Sequence, residues 1–168
     1  MGNQDWETPP DFWAVLNEEF GFQLDAAASV NNTKCKAYIE EGALWEGCAW
    51  VCETEIGVWR TRVYCNPPFT NMMPWVQKAY AEAQKHPYAV VGVVGPLSAA
   101  KWFVFCYEAA REIRILTPRI QFVAPPGLKQ SSNSKDNVFI VFRYRSPLED
   151  VVLNEDAIIS VWNWRERS

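Results

Sequence analysis

The chain has 168 residues, room for one domain of ordinary size, and 49% of them are apolar against 21% charged, which excludes whole-chain disorder. The formal charge of −4 argues against a basic nucleic-acid coat, and a single His excludes any reaction centre that needs two imidazoles. No run of about eighteen apolar residues is present and the acidic N-terminus does not read as a signal peptide, so the expectation is a soluble, intracellular protein with no membrane contact and reduced thiols at its five Cys.

In chain order, Thr8-Pro9-Pro10 predicts a helix start with Thr8 as cap, followed by Phe12, Leu16 and Phe20 on one face and a stop at Gly21. Phe22–Asp25 reads as a short strand ending in an acid, and the small residues Ala26, Ala27, Ala28 and Ser29 follow it. A weak strand around Tyr38-Ile39 precedes Glu40-Glu41-Gly42. Arg62–Cys65 is a strand that two prolines end, residues 72–85 are a helix, and Ala89–Val94 is a strand buried on both faces. Ser98–Arg111 reads as a helix, and Ile113–Leu116, Ile120–Val123 and Val138–Tyr144 as strands. Strands alternating with helices predict an α/β domain around a largely parallel sheet, with ligands beyond the carboxyl ends of its strands.

The charge is unevenly spread. Residues 1–57 hold two basic and eleven acidic side chains, whereas residues 111–145 hold seven basic and two acidic. An acidic N-terminal third beside a basic stretch allows a polyanion to be met on one face. Cys35, Cys48, Cys52 and Cys65 can be drawn as four zinc ligands, but they lack the paired C-x2-C knuckles that make such a reading strong.

The sharpest motif is Asn66-Pro67-Pro68-Phe69 at a strand end. Two prolines remove two backbone donors and leave nearby carbonyls as uncommitted acceptors. An Asn side-chain oxygen and the Pro67 carbonyl can each accept one hydrogen of an exocyclic amine while Phe69 stacks on its ring. Drawing on both hydrogens frees the nitrogen lone pair for attack. The plainer alternative is a proline-stopped loop with a core Phe.

These residues resemble the signature of S-adenosylmethionine-dependent amino-methyltransferases. The ordered set Trp6-x-Thr8-Pro9, Leu24-Asp25-x-Ala27-Ala28-Ser29, Cys35-x-x-Tyr38, Ala43-Leu44, Asn66-Pro67-Pro68-Phe69, Trp75, Lys101-Trp102-Phe103 and Arg119-Ile120-x-Phe122 resembles the phage-type Dam family of DNA N6-adenine methyltransferases over about residues 5–145. The resemblance implies a Rossmann-like methyltransferase fold in a single domain over residues 1–168, with S-adenosyl-L-methionine as methyl donor and DNA as substrate. It implies Trp6, Thr8 and Pro9 at the methionine end of the donor, Asp25 facing its ammonium, and Ala26, Ala27 and Ser29 under it. Glu40 or Glu41 would grip the ribose, and Ala43 and Leu44 would border the adenine. Gly42 stands where family members often carry an acid, and residues 45–61 are an extension without a functional account.

The target adenine must be flipped from a duplex or met in single strands. Lys101, Trp102, Arg119, Lys129, Ser134 and Lys135 are the candidates for gripping that substrate, with Lys positioning phosphates rather than reading sequence. No separate reading domain is visible, which predicts a short or relaxed target site. His86 reads as exposed, Cys65 as a core thiol, and the chemistry requires no metal ion. The competing readings are another amino-methyltransferase (N4-cytosine, RNA adenine or protein glutamine) and a nucleic-acid-binding module on the same fold. The resemblance further implies phage or prophage origin, action in a bacterial cytoplasm and protection of DNA from restriction.

Overall fold

The computed structural model describes residues 6–148 and 155–166. Its elements are α1 (Pro10–Phe20), β1 (Leu24–Asp25), β2 (Ala37–Tyr38), β3 (Cys52–Glu53), β4 (Trp59–Arg60), β5 (Arg62–Cys65), α2 (Met73–Ala83), β6 (Val90–Pro96), α3 (Lys101–Ala109), β7 (Glu112–Thr117), β8 (Asn137–Arg143) and β9 (Ile158–Asn163). Seven strands form one sheet in the order β2-β1-β5-β6-β8-β7-β9, and β3 and β4 form a separate hairpin. Pairs β1–β2, β1–β5, β5–β6 and β7–β9 are parallel, and only β8 runs against its neighbours. The carboxyl ends of β1, β2, β5, β6, β7 and β9 therefore share one edge of the sheet, together with the start of β8. This is the mostly parallel α/β arrangement of a Rossmann-like methyltransferase fold.

The period-2 alternation of the central strands divides the core into two layers. Val91 and Val93 of β6 join Val138, Ile140 and Phe142 of β8 under α2 and α3. Val90 and Val94 join Phe139 and Val141 on the opposite face, under Phe12, Leu16 and Phe20 of α1. The predicted apolar face of α1 is thus the buried one, and Gly21 ends the helix in the left-handed conformation at φ 60°.

Several local expectations need correction. The N-cap of α1 is Pro9, not Thr8; the Thr8 hydroxyl is buried and shares a 2.5 Å hydrogen bond with the Tyr64 phenol instead. Residues 120–123 are not a sheet strand. Ile120 is fully buried, and Val123 makes only an isolated bridge with Glu7. Strand β9 and the β3–β4 hairpin had no counterpart in the sequence reading. Trp164, after β9, packs within the domain: its indole N–H donates to the Pro118 carbonyl at 2.6 Å and its ring lies 5.2 Å from Phe12.

The 45–61 extension is anchored from below. Trp50 is fully buried with its ring 6.3 Å from Trp75, and the Glu82 carboxylate of α2 accepts the backbone N–H groups of Trp50 and Val51 at 3.0 and 2.8 Å. Arg60 donates to the Trp50 and Ala49 carbonyls, and Lys78 to that of Cys48. His86 is half-buried rather than exposed, its ring tilted against that of Trp59 in the hairpin with centroids 4.6 Å apart.

Candidate active site

Two cavities open at the carboxyl edge of the sheet. The first, about 410 Å³, lies over β1 and β2 and is lined by Ala26, Ala27, Ala28 and Ser29 on one side and Glu40, Glu41, Gly42, Ala43 and Leu44 on the other. Small side chains after β1 let the backbone itself form the wall. Gly42 adopts φ +74°, and a Cβ there would lie 2.4 Å from the Trp45 ring, so this turn admits glycine and an aromatic lip together. Trp45 and Trp75 complete the lining.

Asp25 lies beneath this edge, 2% exposed. Its carboxylate accepts the Lys34 backbone N–H at 3.0 Å and, more loosely, that of Ala27 at 3.5 Å. Burial pushes its pKa up from 3.8 to about 6, and those two hydrogen bonds and the Lys34 charge offset only part of that. A carboxylate so poorly compensated is stabilised by an added cation. Burial together with the Asp25 charge also pushes the Cys35 thiol up to about 12, and the buried Cys65 thiol is raised as well, so both stay protonated.

The second cavity, about 340 Å³, lies over β5, β6 and β8. Asn66, Pro67 and Phe69 line it together with Trp6, Pro96, Phe122 and the 131–135 segment, which includes Ser134 and Lys135. The Asn66 amide nitrogen donates to the Trp6 carbonyl at 3.3 Å. A carbonyl opposite the amide demands nitrogen on that side, so the Asn66 oxygen is turned away, and among the described residues it accepts no hydrogen bond. Phe69 meets Phe122 edge-on, with centroids 6.0 Å apart. Pro68 follows at the turn without lining the cavity. A planar ring with an exocyclic amine suits this combination: an aromatic face, an uncommitted amide oxygen and the carbonyl of a residue followed by proline.

The sequence-derived residues do not all gather where expected. Ala26, Ala27, Ser29, Glu40, Glu41, Ala43 and Leu44 do line the first cavity. Trp6, expected beside the donor, lines the second. Thr8 and Pro9 are buried beneath the edge and line neither. Trp102 is half-buried against the core, with its ring 3.3 Å from where a Gly95 Cβ would stand, and does not reach the second cavity. Arg119 is not a free cation: it pairs with Asp136 at 2.6 Å and donates to the Ser134 carbonyl, closing the 119–136 loop. Arg114, also counted in the basic stretch, pairs with Glu19 of α1 at 2.6 Å and with Glu112 at 2.9 Å. Lys101, Lys129 and Lys135 remain exposed, without an ion pair among the described residues. Trp45 and Lys34 had no assigned role in the sequence, and Phe122 entered only as part of the family motif; their places in the site come from the fold.

A mostly parallel sheet with two cavities at its carboxyl edge, one of them lined by an Asn-Pro-Pro-Phe loop, fits the class of Rossmann-like amino-methyltransferases. A family model described as "DNA N-6-adenine-methyltransferase (Dam)" matches residues 2–166. A DNA N-6-adenine-methyltransferase of Haemophilus phage HP1 (strain HP1c1) is 30% identical over 148 residues, covering 84% of this chain and 80% of that protein. The chain belongs to the DNA N-6-adenine-methyltransferase (Dam) family.

Proposed function

We propose that this chain transfers the methyl group of S-adenosyl-L-methionine to adenine N6 in DNA, with donor and target base in the first and second cavities. The observation that carries the reading is the orientation of the Asn66 amide, whose nitrogen is occupied by the Trp6 carbonyl so that its oxygen is left for an amine hydrogen. The first cavity fits the donor's chemistry. Its alanine wall admits close approach, Glu40 and Glu41 offer acceptors for a ribose diol, and the buried Asp25 carboxylate suits an ammonium. When bound, the donor supplies a methyl group on a positively charged sulfur. The chain's own residues do the rest. Asn66 and Pro67 accept the two N6 hydrogens, drawing the nitrogen towards a tetrahedral form with an available lone pair. Phe69 holds the ring, and alignment supplies much of the rate.

The base reaches the second cavity by flipping from a duplex or from a single strand. Lys135 and Ser134 at its rim, with Lys129 and Lys101 on the same edge, suit phosphates. All of this lies within one domain, and a reading surface this small suits a short or relaxed target. In a bacterial cytoplasm such an activity would mark phage DNA against restriction.

The test is a labelled-methyl assay on DNA, RNA and protein, followed by nucleoside analysis. Label in N6-methyladenine of DNA is expected; label confined to RNA, protein or cytosine N4 would overturn the substrate. Asn66→Ala should lower transfer by about a hundred- to a thousandfold while calorimetric donor binding persists, and near-normal turnover in that variant sinks the pocket assignment. Oligonucleotides with varied flanks test the short target, which strict dependence on a long site would refute.

A further inference from the structure

Cofactor side and base side of the edge are joined by one short run of chain. Glu7 stands at its centre. Its backbone N–H and C=O both pair with Val123, each at 2.9 Å, which ties the run to the loop bearing Phe122. Its side chain turns the other way and forms an ion pair with Lys34, in the turn between β1 and β2. The Lys34 side chain is only 9% exposed, against 34% for Glu7. A lysine so nearly buried, in direct contact with the Glu7 carboxylate, holds that partner firmly, because breaking such a pair strands a desolvated charge. Lys34 also reaches Asp25, through its backbone N–H at 3.0 Å and through the field of its charge. One residue before Glu7, the Trp6 carbonyl receives the Asn66 amide. The planar peptide between Trp6 and Glu7 couples the Trp6 C=O to the Glu7 N–H, which donates to Val123, so neither turns alone.

We propose that Lys34 and Glu7 are positioning residues for the transfer. Their ion pair sets the Trp6–Val123 strap, and through the Trp6 carbonyl it keeps the Asn66 oxygen facing the base cavity. This deepens the function proposed above and rests on it for the identity of the reaction. Neither side chain lines the base cavity, and neither touches the target amine. Losing the pair frees the strap to shift along Val123, and the Asn66 amide then loses the carbonyl that selects its orientation. Both ends of the network answer to Lys34, by its backbone at Asp25 and by its ammonium at Glu7.

The variants are Glu7→Gln and Lys34→Gln, which remove one charge each at nearly constant shape, the double variant, and Lys34→Arg, which keeps the pair. In methyl transfer to DNA, each single variant should lower kcat about tenfold with less than about a threefold change in KM for the donor. The double variant should be no worse than either single one, and Lys34→Arg should recover most of the loss. A purely structural role would instead lower the melting temperature and leave kcat of the folded protein alone. The second readout needs no activity: the Asn66 side-chain amide signals in nitrogen-15 NMR of the donor-free protein, assigned by their loss in Asn66→Asp. They should move towards solvent-exposed amide positions in Glu7→Gln and stay near wild type in Lys34→Arg. Unmoved Asn66 signals in Glu7→Gln overturn the proposal, as does kcat within about twofold of wild type. Should the wild type transfer no methyl group to DNA, the function above fails, while the NMR comparison still decides the positioning of Asn66.

Discussion

Two buried carboxylates, at opposite ends of the domain's parallel strands, are treated in opposite ways. Asp25 and Glu82 are 2% and 1% exposed, and in each burial is the leading influence that raises the carboxyl pKa. Burial pushes Glu82 up, but hydrogen bonds from Lys85, the Val51 N–H and Lys78 more than reverse that, and its carboxyl ends below the ordinary range. Two lysines and two backbone amides leave it nothing further to bind; it is the pin that holds the 45–61 extension to α2. Asp25 receives two backbone N–H groups, one of them long, and no direct ion pair among the described residues, so burial wins and its pKa is raised to about 6. The contrast separates a carboxylate satisfied by its own fold from one whose compensation is incomplete, and the incomplete one is buried directly before the alanine wall of the first cavity.

The largest expected effect falls on the satisfied partner. Glu82→Ala strands Lys78, Lys85 and two backbone N–H groups, and should cost about 3–5 kcal/mol in chemical unfolding. Transfer per folded molecule should stay close to wild type, since Glu82 lines neither cavity; a loss of less than about 1 kcal/mol would show that the extension holds without its pin.

Asp25→Asn should do the reverse. Because the folded pKa of Asp25 lies above its unfolded value of 3.8, the ionised form is disfavoured by folding. Its contribution to stability is full below pH 3.8 and is lost as the pH rises through about 6. At pH 7.5 the Asn variant should therefore be more stable than wild type, by about 1–2 kcal/mol, with the difference vanishing in acid. Donor affinity should fall by about tenfold or more in the same variant. In the wild type it should weaken as the pH drops below about 6. Calorimetric titration between pH 5 and 8, spanning about one unit or more either side of that value, checks this, and a flat profile would remove Asp25 from the donor site. The smallest effects belong to the exposed cations. Lys101→Ala and Lys135→Ala should each weaken DNA binding a few-fold and reduce the salt slope by about one, with no change in thermal stability.

Much of the edge was legible because it depends on local chemistry. Arg62–Cys65 is a strand with the bounds its pattern predicted, since an apolar run stopped by two prolines has few alternatives. The alanine run, the acid pair and the Asn66–Phe69 loop fall at strand ends in the sequence pattern, and all of them but Pro68 line the two cavities. The strand expected at residues 120–123 failed because its residues satisfy their polar groups elsewhere. Gln130 and Asn133 side chains serve the carbonyls of Phe122 and Ile120, and Val123 serves Glu7. β9 was missed because its apolar residues stay exposed at the sheet edge, where pairing with β7 alone defines the strand.

By itself, then, the sequence determined the alternating α/β order, the buried face of α1 and the proline-stopped Asn66–Phe69 loop, all of which follow from periodicity, proline geometry and side-chain chemistry within a few residues. Only the tertiary structure decided which charges are spent and which are available. Arg114 and Arg119, both counted in the basic stretch, are paired with Glu19 and Asp136. Trp6 lines the second cavity rather than the first, and Lys34 pairs with Glu7. The reason is that an ion's role depends on its partner and its solvation, and both come from residues tens of positions away.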